Sequence, residues 1–338
     1  MRVARTVAVW SVALLGLGLL PAGAAADQSC TYTISTLEDA RAGLTAAAPG
    51  DMLCFVGPNL ADVDLTLTRS GTPDAPISLV SDGRSTVHQT RILADHVIIR
   101  GFTMVGGGEL LLSGVGITAQ KNTVRDTERS GIVCSPCTDS VLESNTVTRA
   151  ATTGIFISGQ RIIVRENLVS ETVPGDDGDA DGIRFFGDGH RIISNSVRDL
   201  PAAGSSQFSS APDCFQTFDT ARPPTFGIVI VGNACENVAG NCLTAAGDES
   251  GNSDAPDGTV SITFIGNTCV TNGDQAVSLR SWPDVDVRKN KHFGPSLKRG
   301  VLITDGSTGC TAKDNATASG IPAVEIDDSS RPGFNGPF

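Results

Sequence analysis

The chain has 338 residues, 40% hydrophobic but only 5% aromatic, with 38 glycines and a net charge of −12. Many glycines beside few aromatic residues indicate short strands joined by repeated turns. The acidic charge and the lack of Lys/Arg clusters exclude a nucleic-acid or anionic-membrane partner, because phosphate binding depends on clustered basic side chains.

The first 26 residues are typical of a secretory signal peptide. Arg2 and Arg5 precede an apolar stretch at 7–20, and small-residue cleavage sites follow at 22–24 and 24–26. The apolar stretch is too short and wrongly flanked for a spanning helix. We therefore expect a secreted, extracellular protein.

A short amphipathic helix is predicted next, from Ser35 to about Ala47. Ser35 is the candidate N-cap and Glu38 follows three residues later, as in a capping box. Such a helix would cover the open end of a solenoid, whose exposed strand edge otherwise invites aggregation. Cys30 and Cys54 flank the helix and could form a disulfide.

An asparagine marks each unit of a repeat along the rest of the chain. Neighbouring units are 22 to 38 residues apart, and Gly101 takes the equivalent place one unit earlier. Stacked asparagines can hydrogen-bond above and below, which satisfies the backbone at a tight bend. A β-sandwich would not require one residue type at one place in eight units, so the pattern favours stacked coils. The asparagines are Asn122, Asn145, Asn167, Asn195, Asn233, Asn267, Asn290 and Asn315.

The run SGTPDAPISL at residues 70–79, followed by these coils, resembles the pectate-lyase-like superfamily over residues 30–327. The resemblance implies an all-β fold, a right-handed parallel β-helix solenoid, to which we add the short N-terminal capping helix. It also implies an extracellular polysaccharide lyase, hydrolase or epimerase, or a non-catalytic member. The predicted parts are a signal peptide (1–26), a cap (27–57), the β-helix (58–327) and a C-terminal tail (328–338).

The candidate site lies on the central coils, where insertions concentrate at 170–180, 200–212, 219–225 and 246–258. Long loops on one stretch of a solenoid build a binding face. Two columns of the strand between these insertions should face solvent, and they are polar only in these coils. A plain solvated sheet face is the alternative. The columns contain Arg184, Gln216, Thr244 and Ser278, then Phe186, Phe218, Ala246 and Arg280.

Two aspartates, Asp181 and Asp213, are predicted on adjacent coils, about 4.8 Å apart at Cα and facing solvent in one groove. Carboxylates that close raise one pKa unless a cation separates them, which suits a general acid or a metal site. The placement is similar to that of polygalacturonases. Pro212 and Asn241 stand where that family has Asp and His, so one of its three carboxylates is missing.

Three aspartates, Asp177, Asp179 and Asp181, match the DxDxDG start of a calcium loop. Strand patterns on both sides exclude an EF-hand. We therefore predict a Ca²⁺ cluster at a loop–strand junction, with a flexible acidic loop as the alternative.

His190 lies in an inward column that holds His96 and otherwise apolar residues, and it is interpreted as a hydrogen-bonded core histidine. Phe186 and Phe218 form either a platform for sugar rings or a hydrophobic patch under a loop.

The nine cysteines are expected in an oxidising compartment. Cys134 and Cys137 are predicted as a structural disulfide or two buried thiols. Cys214 shares a column with Cys242, and Cys235 shares one with Cys269, so bridges are plausible there.

These features favour a lyase that acts on a uronate-containing glycan by β-elimination. Ca²⁺ would neutralise the substrate carboxylate and acidify its α proton, and Arg184 or Arg280 would face that proton, as the base that the resemblance implies. The alternatives are a glycoside hydrolase that uses Asp181 and Asp213, or a non-catalytic glycan-binding or adhesion solenoid. The expected partner is an extracellular polysaccharide, bound by a monomer.

Overall fold

The computed structural model describes residues 29–57, 59–173, 180–202, 211–219, 224–247 and 259–337. These residues form a parallel β-solenoid of about 11 turns, with one α-helix, α1 (Leu37–Ala46), near the N-terminus and a 3₁₀ turn at Asp328–Ser330. The described strands are β1 (Tyr32–Ile34), β2 (Met52–Phe55), β3 (Asn59–Leu67), β4 (Ile77–Ser81), β5 (Thr86–Leu93), β6 (Val97–Arg100), β7 (Thr103–Met104), β8 (Leu110–Val115), β9 (Thr118–Gln120), β10 (Thr123–Thr127), β11 (Ser130–Thr138), β12 (Val141–Glu143), β13 (Thr146–Ala150), β14 (Thr153–Gln160), β15 (Ile163–Arg165), β16 (Leu168–Ser170), β17 (Asp181–Asp188), β18 (Arg191–Ile193), β19 (Ser196–Leu200), β20 (Phe215–Phe218), β21 (Ile228–Val231), β22 (Ala234–Val238), β23 (Leu243–Ala246), β24 (Ile262–Ile265), β25 (Thr268–Thr271), β26 (Gln275–Arg280), β27 (Val285–Arg288), β28 (Lys291–Phe293), β29 (Arg299–Thr304), β30 (Thr311–Lys313), β31 (Ala316–Thr317) and β32 (Val324–Ile326).

The strands form three faces, and each coil runs through them in the same order. Face A is a 12-stranded sheet, and faces B and C are two arms of a 20-stranded sheet that forks at β5, counted over the described residues. Successive strands on each face pair in parallel. Face A contains β1, β2, β4, β6, β9, β12, β15, β18, β21, β24, β27 and β30; face B contains β7, β10, β13, β16, β19, β22, β25, β28 and β31; face C contains β3, β5, β8, β11, β14, β17, β20, β23, β26, β29 and β32.

The core is a set of apolar columns that run along the inside of the solenoid. Leu79 pairs with Ile99, Ile99 with Ala119, and Ala119 with Leu142, all fully buried. Because alternate strand residues point inward, each coil stacks its apolar side chains on those of the coil below. Fully burying one Val, Leu or Ile side chain contributes about 1.5–3 kcal/mol, so the columns hold the coils in register.

The predicted asparagine column is confirmed as a hydrogen-bonded ladder at the corner between faces A and B. Asn145 is representative: its Oδ1 accepts the backbone N–H of Asn122 at 3.0 Å, and its Nδ2 donates to the Ala119 carbonyl at 2.9 Å. The equivalence of Gly101 is wrong by one residue. Strand pairing aligns Gly101 with Lys121 and Phe102 with Asn122, and both Gly101 and Lys121 have positive φ. Gly101 therefore fits the left-handed position before the ladder.

The capping helix is confirmed with its N-cap one residue later than predicted. Thr36, not Ser35, accepts the Asp39 N–H at 3.1 Å, and the Asp39 carboxylate accepts the Thr36 N–H at 3.0 Å. Asp39 therefore takes the place predicted for Glu38 in the capping box. The predicted Cys30–Cys54 disulfide is present and ties the cap to β2.

The predicted signal peptide, 1–26, lies outside the described residues. Over the residues that the structure does describe, it contains no helix that combines the length and apolarity needed to cross a membrane.

Candidate functional site

The candidate site is the outer surface of face C on strands β17, β20, β23 and β26. The structure confirms where the insertions interrupt the coils: β16 ends at Ser170 and β17 begins at Asp181, while β23 ends at Ala246 and β24 begins at Ile262. All four insertions adjoin face C strands, at one end or the other. The four insertions therefore interrupt the coils next to neighbouring strands of one face.

The predicted outward columns are in register on this surface. Arg184 pairs with Gln216, Gln216 with Thr244, and Thr244 with Ser278, and all four side chains are partly exposed. Arg280 extends the surface as an exposed residue and makes no ion pair with any described residue. The row therefore presents hydrogen-bonding groups at about 4.8 Å intervals, with Arg184 at one end and Arg280 at the other.

Asp181 is buried, which contradicts the prediction that it faces solvent. Its side chain is 0% exposed; Oδ2 accepts from Arg184 Nε at 3.0 Å and Nη2 at 2.5 Å, and Oδ1 accepts the Asp213 backbone N–H at 2.8 Å. The Arg184 side chain is 16% exposed. A carboxylate held this way acts as a support for Arg184 and for the next coil.

Asp213 repeats the arrangement one coil later and is also buried. Its Oδ1 accepts the Asn241 backbone N–H at 2.6 Å, and Oδ2 accepts from Gln216 at 3.4 Å. In the third coil Asn241 Nδ2 donates to Thr244 Oγ1 at 2.9 Å. Each of the three coils therefore pairs the first residue of its face C segment with the residue three positions on.

The predicted solvent-facing pair of carboxylates is therefore wrong. An acid and a base for glycoside hydrolysis must reach the glycosidic oxygen and a water or the anomeric carbon. Asp181 and Asp213 instead direct their oxygens at the backbone of the following coil and at Arg184 and Gln216. The burial has a local cause, because both aspartates lie where face C begins: Asp181 is the first residue of β17, and Asp213 lies two residues before β20. The in–out alternation of the strand interior does not set the direction of a side chain at that boundary.

The three-residue spacing is the feature that sequence reasoning missed. Asp181–Arg184, Asp213–Gln216 and Asn241–Thr244 are contacts within each strand, whereas the sequence favoured a contact between the two aspartates. The offset of three polar residues in three successive coils was the available signal.

Phe186 and Phe218 are stacked edge to face, with ring centroids 4.9 Å apart, but Phe186 is 0% exposed. Phe186 also contacts Phe156 at 5.6 Å, and Arg184 lies 5.6 Å from the Phe218 ring centroid. A sugar ring needs an open aromatic face. Phe186 therefore belongs to a buried hydrophobic cluster, and only the partly exposed Phe218 and Phe156 retain surface.

Two of the three predicted calcium ligands, Asp177 and Asp179, lie outside the described residues. Asp181, the third, has both carboxylate oxygens in hydrogen bonds with Arg184 and the Asp213 N–H. A Ca²⁺ ion would have to share these oxygens or displace Arg184, since calcium takes six to eight oxygen ligands.

His190 is a buried, hydrogen-bonded histidine, as predicted. Nδ1 accepts the Ile162 N–H at 3.1 Å, so Nε2 carries the proton and donates to the Phe186 carbonyl at 2.8 Å. Burial lowers the pKa of His190 and favours this neutral form.

Three disulfides are present in the described chain, and all are structural. The Cys134–Cys137 bridge takes the first of the two predicted forms. Cys214 bonds to Cys235 rather than to its column neighbour Cys242, so this bridge joins faces C and B and closes one turn.

A second charged region, which the sequence did not reveal, lies on face C several coils before the candidate site. Glu109 is half-buried, and burial raises its pKa, while Arg129 and Arg91 oppose that shift. His88 contacts Asp64 nearby, with Nδ1 and Oδ1 2.6 Å apart. The insertions do not adjoin this region, so we assign it no role in the candidate site.

Known proteins share this architecture. Residues 74–197 match the family described as a right handed beta helix region. An alginate lyase from Paenibacillus sp. str. FPU-7 superposes with a TM-score of 0.61 at 14% identity, covering 90% of this chain and 98% of that one. No curated protein sequence matches significantly.

Two longer proteins have the same fold. A PL6 family polysaccharide lyase from Pseudopedobacter saltans gives a TM-score of 0.52 at 13% identity, with 85% of this chain and 65% of that one covered. A mutant tailspike protein of E. coli bacteriophage HK620, in complex with a pentasaccharide, gives 0.51 at 10% identity, with 88% and 62% covered. At these identities the likeness concerns the fold. The chain is therefore a right-handed parallel β-helix protein.

Proposed function

We propose that this protein is a secreted polysaccharide-active enzyme and that the outer surface of face C between β17 and β26 binds the glycan. The polar row carries the proposal: Arg184, Gln216, Thr244, Ser278 and Arg280 lie on the coils with insertions, and the column of the first four is bordered by apolar Phe156 and Leu302. Polysaccharides present a regular series of hydroxyl and carboxylate groups, which a row of evenly spaced polar side chains can follow. Two of the proteins with this fold are an alginate lyase and a polysaccharide lyase, and the tailspike binds a pentasaccharide, which supports the same substrate class.

Charge favours a uronate-containing glycan and a lyase. The chain has a net charge of −12, so an acidic polymer needs local cations on its binding surface. Arg280 is exposed there, and Arg184 is held in place by Asp181. An arginine beside the uronate carboxylate would neutralise it and lower the pKa of the proton on the adjacent carbon.

The proposed reaction is β-elimination. The C5 proton passes to a solvent base, the bond from C4 to the glycosidic oxygen breaks as the C4–C5 double bond forms, and the leaving oxygen takes up a proton from solvent. Arg280 contributes charge stabilisation of the intermediate anion, and Gln216 and Thr244 position the chain. Asp181 and Asp213 hold Arg184 and Gln216 in this scheme. Calcium binding by Asp177, Asp179 and Asp181 stays a prediction.

The experiment is a digest of a uronate-polymer panel, alginate included, with and without Ca²⁺. A lyase produces a rising ultraviolet absorbance from the unsaturated product. Arg280→Ala should lower that rate at least tenfold, whereas Arg191→Ala, an exposed arginine on face A, should leave it unchanged.

Other outcomes separate the remaining classes. If no polymer of the panel gives unsaturated product under either condition, the lyase proposal is wrong. New reducing ends without ultraviolet absorbance would select a hydrolase. Binding without any cleavage would select a glycan-binding or adhesion protein.

A further inference from the structure

Three cysteines of the described chain are thiols, Cys242, Cys269 and Cys310, and all three are buried. Two of them lie beside a disulfide. The Sγ atoms of Cys235, Cys242 and Cys269 are all within 4.8 Å of one another, and Cys235 is already bonded to Cys214.

Strand register makes the Cys242/Cys269 pair a copy of the Cys214/Cys235 pair, moved by one coil. Phe215 pairs with Leu243, which places Cys214 below Cys242, and Cys235 pairs with Cys269. The bonded pair has a Cα–Cα distance of 6.0 Å. Because the coils stack in register, the next pair has nearly the same separation, within the range of about 4.4–6.8 Å that disulfides require.

Earlier coils show that these two columns face each other throughout. A Cβ added to Gly182, which lies below Cys214, would be 2.4 Å from Cγ1 of Val197, which lies below Cys235. One coil before Gly182, a Cβ added to Gly154 would lie 2.2 Å from Cγ1 of Val169. A side chain in the first column therefore always meets the second column of the following coil.

We propose that Cys242 and Cys269 form a fourth disulfide, stacked on Cys214–Cys235, which leaves Cys310 as the one free thiol. The two thiols lose two protons and two electrons, and an external disulfide, such as oxidised glutathione or an oxidised thiol–disulfide oxidoreductase, is reduced to two thiols. Burial raises the pKa of the Cys242 thiol. Exchange requires a thiolate and access, so the bond forms while the chain folds.

The stacked bridges would stabilise the two coils that carry insertions after a face C strand. The segment between β20 and β21 lies within the Cys214–Cys235 loop, and the segment between β23 and β24 lies within Cys242–Cys269. A disulfide restricts the unfolded chain, and the effect grows with loop length. These two coils contain more residues per turn than the other coils of the repeat, so more of the chain must become ordered when they fold.

The test is a thiol count on the full chain, exported through its own signal peptide and purified without reductant. The protein is unfolded in guanidinium chloride with iodoacetamide and digested at acidic residues. Cleavage after Asp219, Glu236 and Asp248 separates all four cysteines. We expect alkylation at Cys310 alone, and linked peptides that contain Cys242–Cys269 and Cys214–Cys235.

A matched variant and two readouts keep the result decisive. Cys310→Ser should leave no alkylated cysteine. Alkylated Cys242 and Cys269 would overturn the proposal, as would links between Cys214 and Cys242 or between Cys235 and Cys269. If Cys242 and Cys269 react only after a chelator has released a stoichiometric metal, the proposed disulfide is wrong and the two thiolates bind a metal instead.

Discussion

Each of the two corners that border face B contains a column of polar residues, and the two columns differ in composition and in the direction of their hydrogen bonds. At the A–B corner one residue type recurs from Asn122 to Asn315, and each Oδ1 accepts the N–H of the coil before it. At the B–C corner the residues vary, and Asp181 and Asp213 accept the N–H of the coil that follows. In the uniform column, the same side chain satisfies the backbone N–H group at the bend of each coil that the column spans. The mixed column at the B–C corner also satisfies a backbone N–H group in two coils, through Asp181 and Asp213. The same two carboxylates orient Arg184 and Gln216 on the outer surface.

The largest expected effect comes from breaking the uniform column. Asn195→Ala removes four buried hydrogen bonds, to Asn167, Val164 and Asn233. Each buried group left without a partner costs about 1–3 kcal/mol, so we expect a loss of roughly 3–6 kcal/mol in the free energy of unfolding, measured by urea denaturation.

The matched control is Asn315→Ala at the end of the ladder. Asn315 is partly exposed, so water can replace its bonds, and the loss should be about 1–2 kcal/mol. Equal losses for the two variants would contradict a cooperative buried ladder.

Substitutions in the mixed column should lower the free energy of unfolding by a smaller amount, and that amount should depend on the charge at position 181. Asp181→Ala leaves Arg184 and the Asp213 N–H without this partner, and we expect to lose about 2–4 kcal/mol, since Arg184 keeps some access to water. Asp181→Asn retains an oxygen for the Asp213 N–H and should lose less. If the alanine variant unfolds like wild type in urea, the supporting role of Asp181 is wrong.

A third prediction concerns pH and the interior of the B–C corner. His292 is buried without a hydrogen-bond partner for either ring nitrogen in the described structure, and burial lowers its pKa to about 4. The unfolded histidine takes up a proton below pH 6.5, and the folded one only below about 4. Stability present above pH 6.5 is therefore lost as the pH falls to about 4, by roughly 3 kcal/mol.

His292→Val should remove most of that pH dependence. Valine occupies the same column at Val197 and Val169, so the replacement suits the space. His190, whose pKa burial also lowers, contributes with the same sign and leaves a residual slope. The measurement is the thermal unfolding of the wild type and of His292→Val between pH 4 and 7. If stability depends on pH equally in both proteins, His292 is not the cause.

The smallest effect on stability is expected at the outer surface itself. Arg280→Ala should change the free energy of unfolding by less than about 0.5 kcal/mol, because the side chain is exposed and makes no ion pair among the described residues. Calorimetry checks this beside the activity measurement. A large destabilisation would make Arg280 a structural residue and remove it from the proposed binding row.

Much of the architecture could be predicted because it repeats. The Asn column, the inward apolar columns and the insertions each appear several times, so one misaligned unit does not change the result. The errors occurred where a feature appears once or at a chain turn. Gly101 was misplaced by one residue, and the N-cap moved from Ser35 to Thr36 because neighbouring hydroxyl residues both fit the motif.

The sequence alone determined the solenoid, its coil boundaries and the column to which each face C residue belongs, because alternation and repeat length are local properties. Only the tertiary structure decided what those columns do. Whether Asp181 and Asp213 point to solvent or to the next coil, whether Phe186 is covered, and which cysteine meets Cys235 all depend on neighbours that are distant in sequence. Burial and hydrogen-bond partners come from the stacking of whole coils, and a pattern within one coil does not contain them.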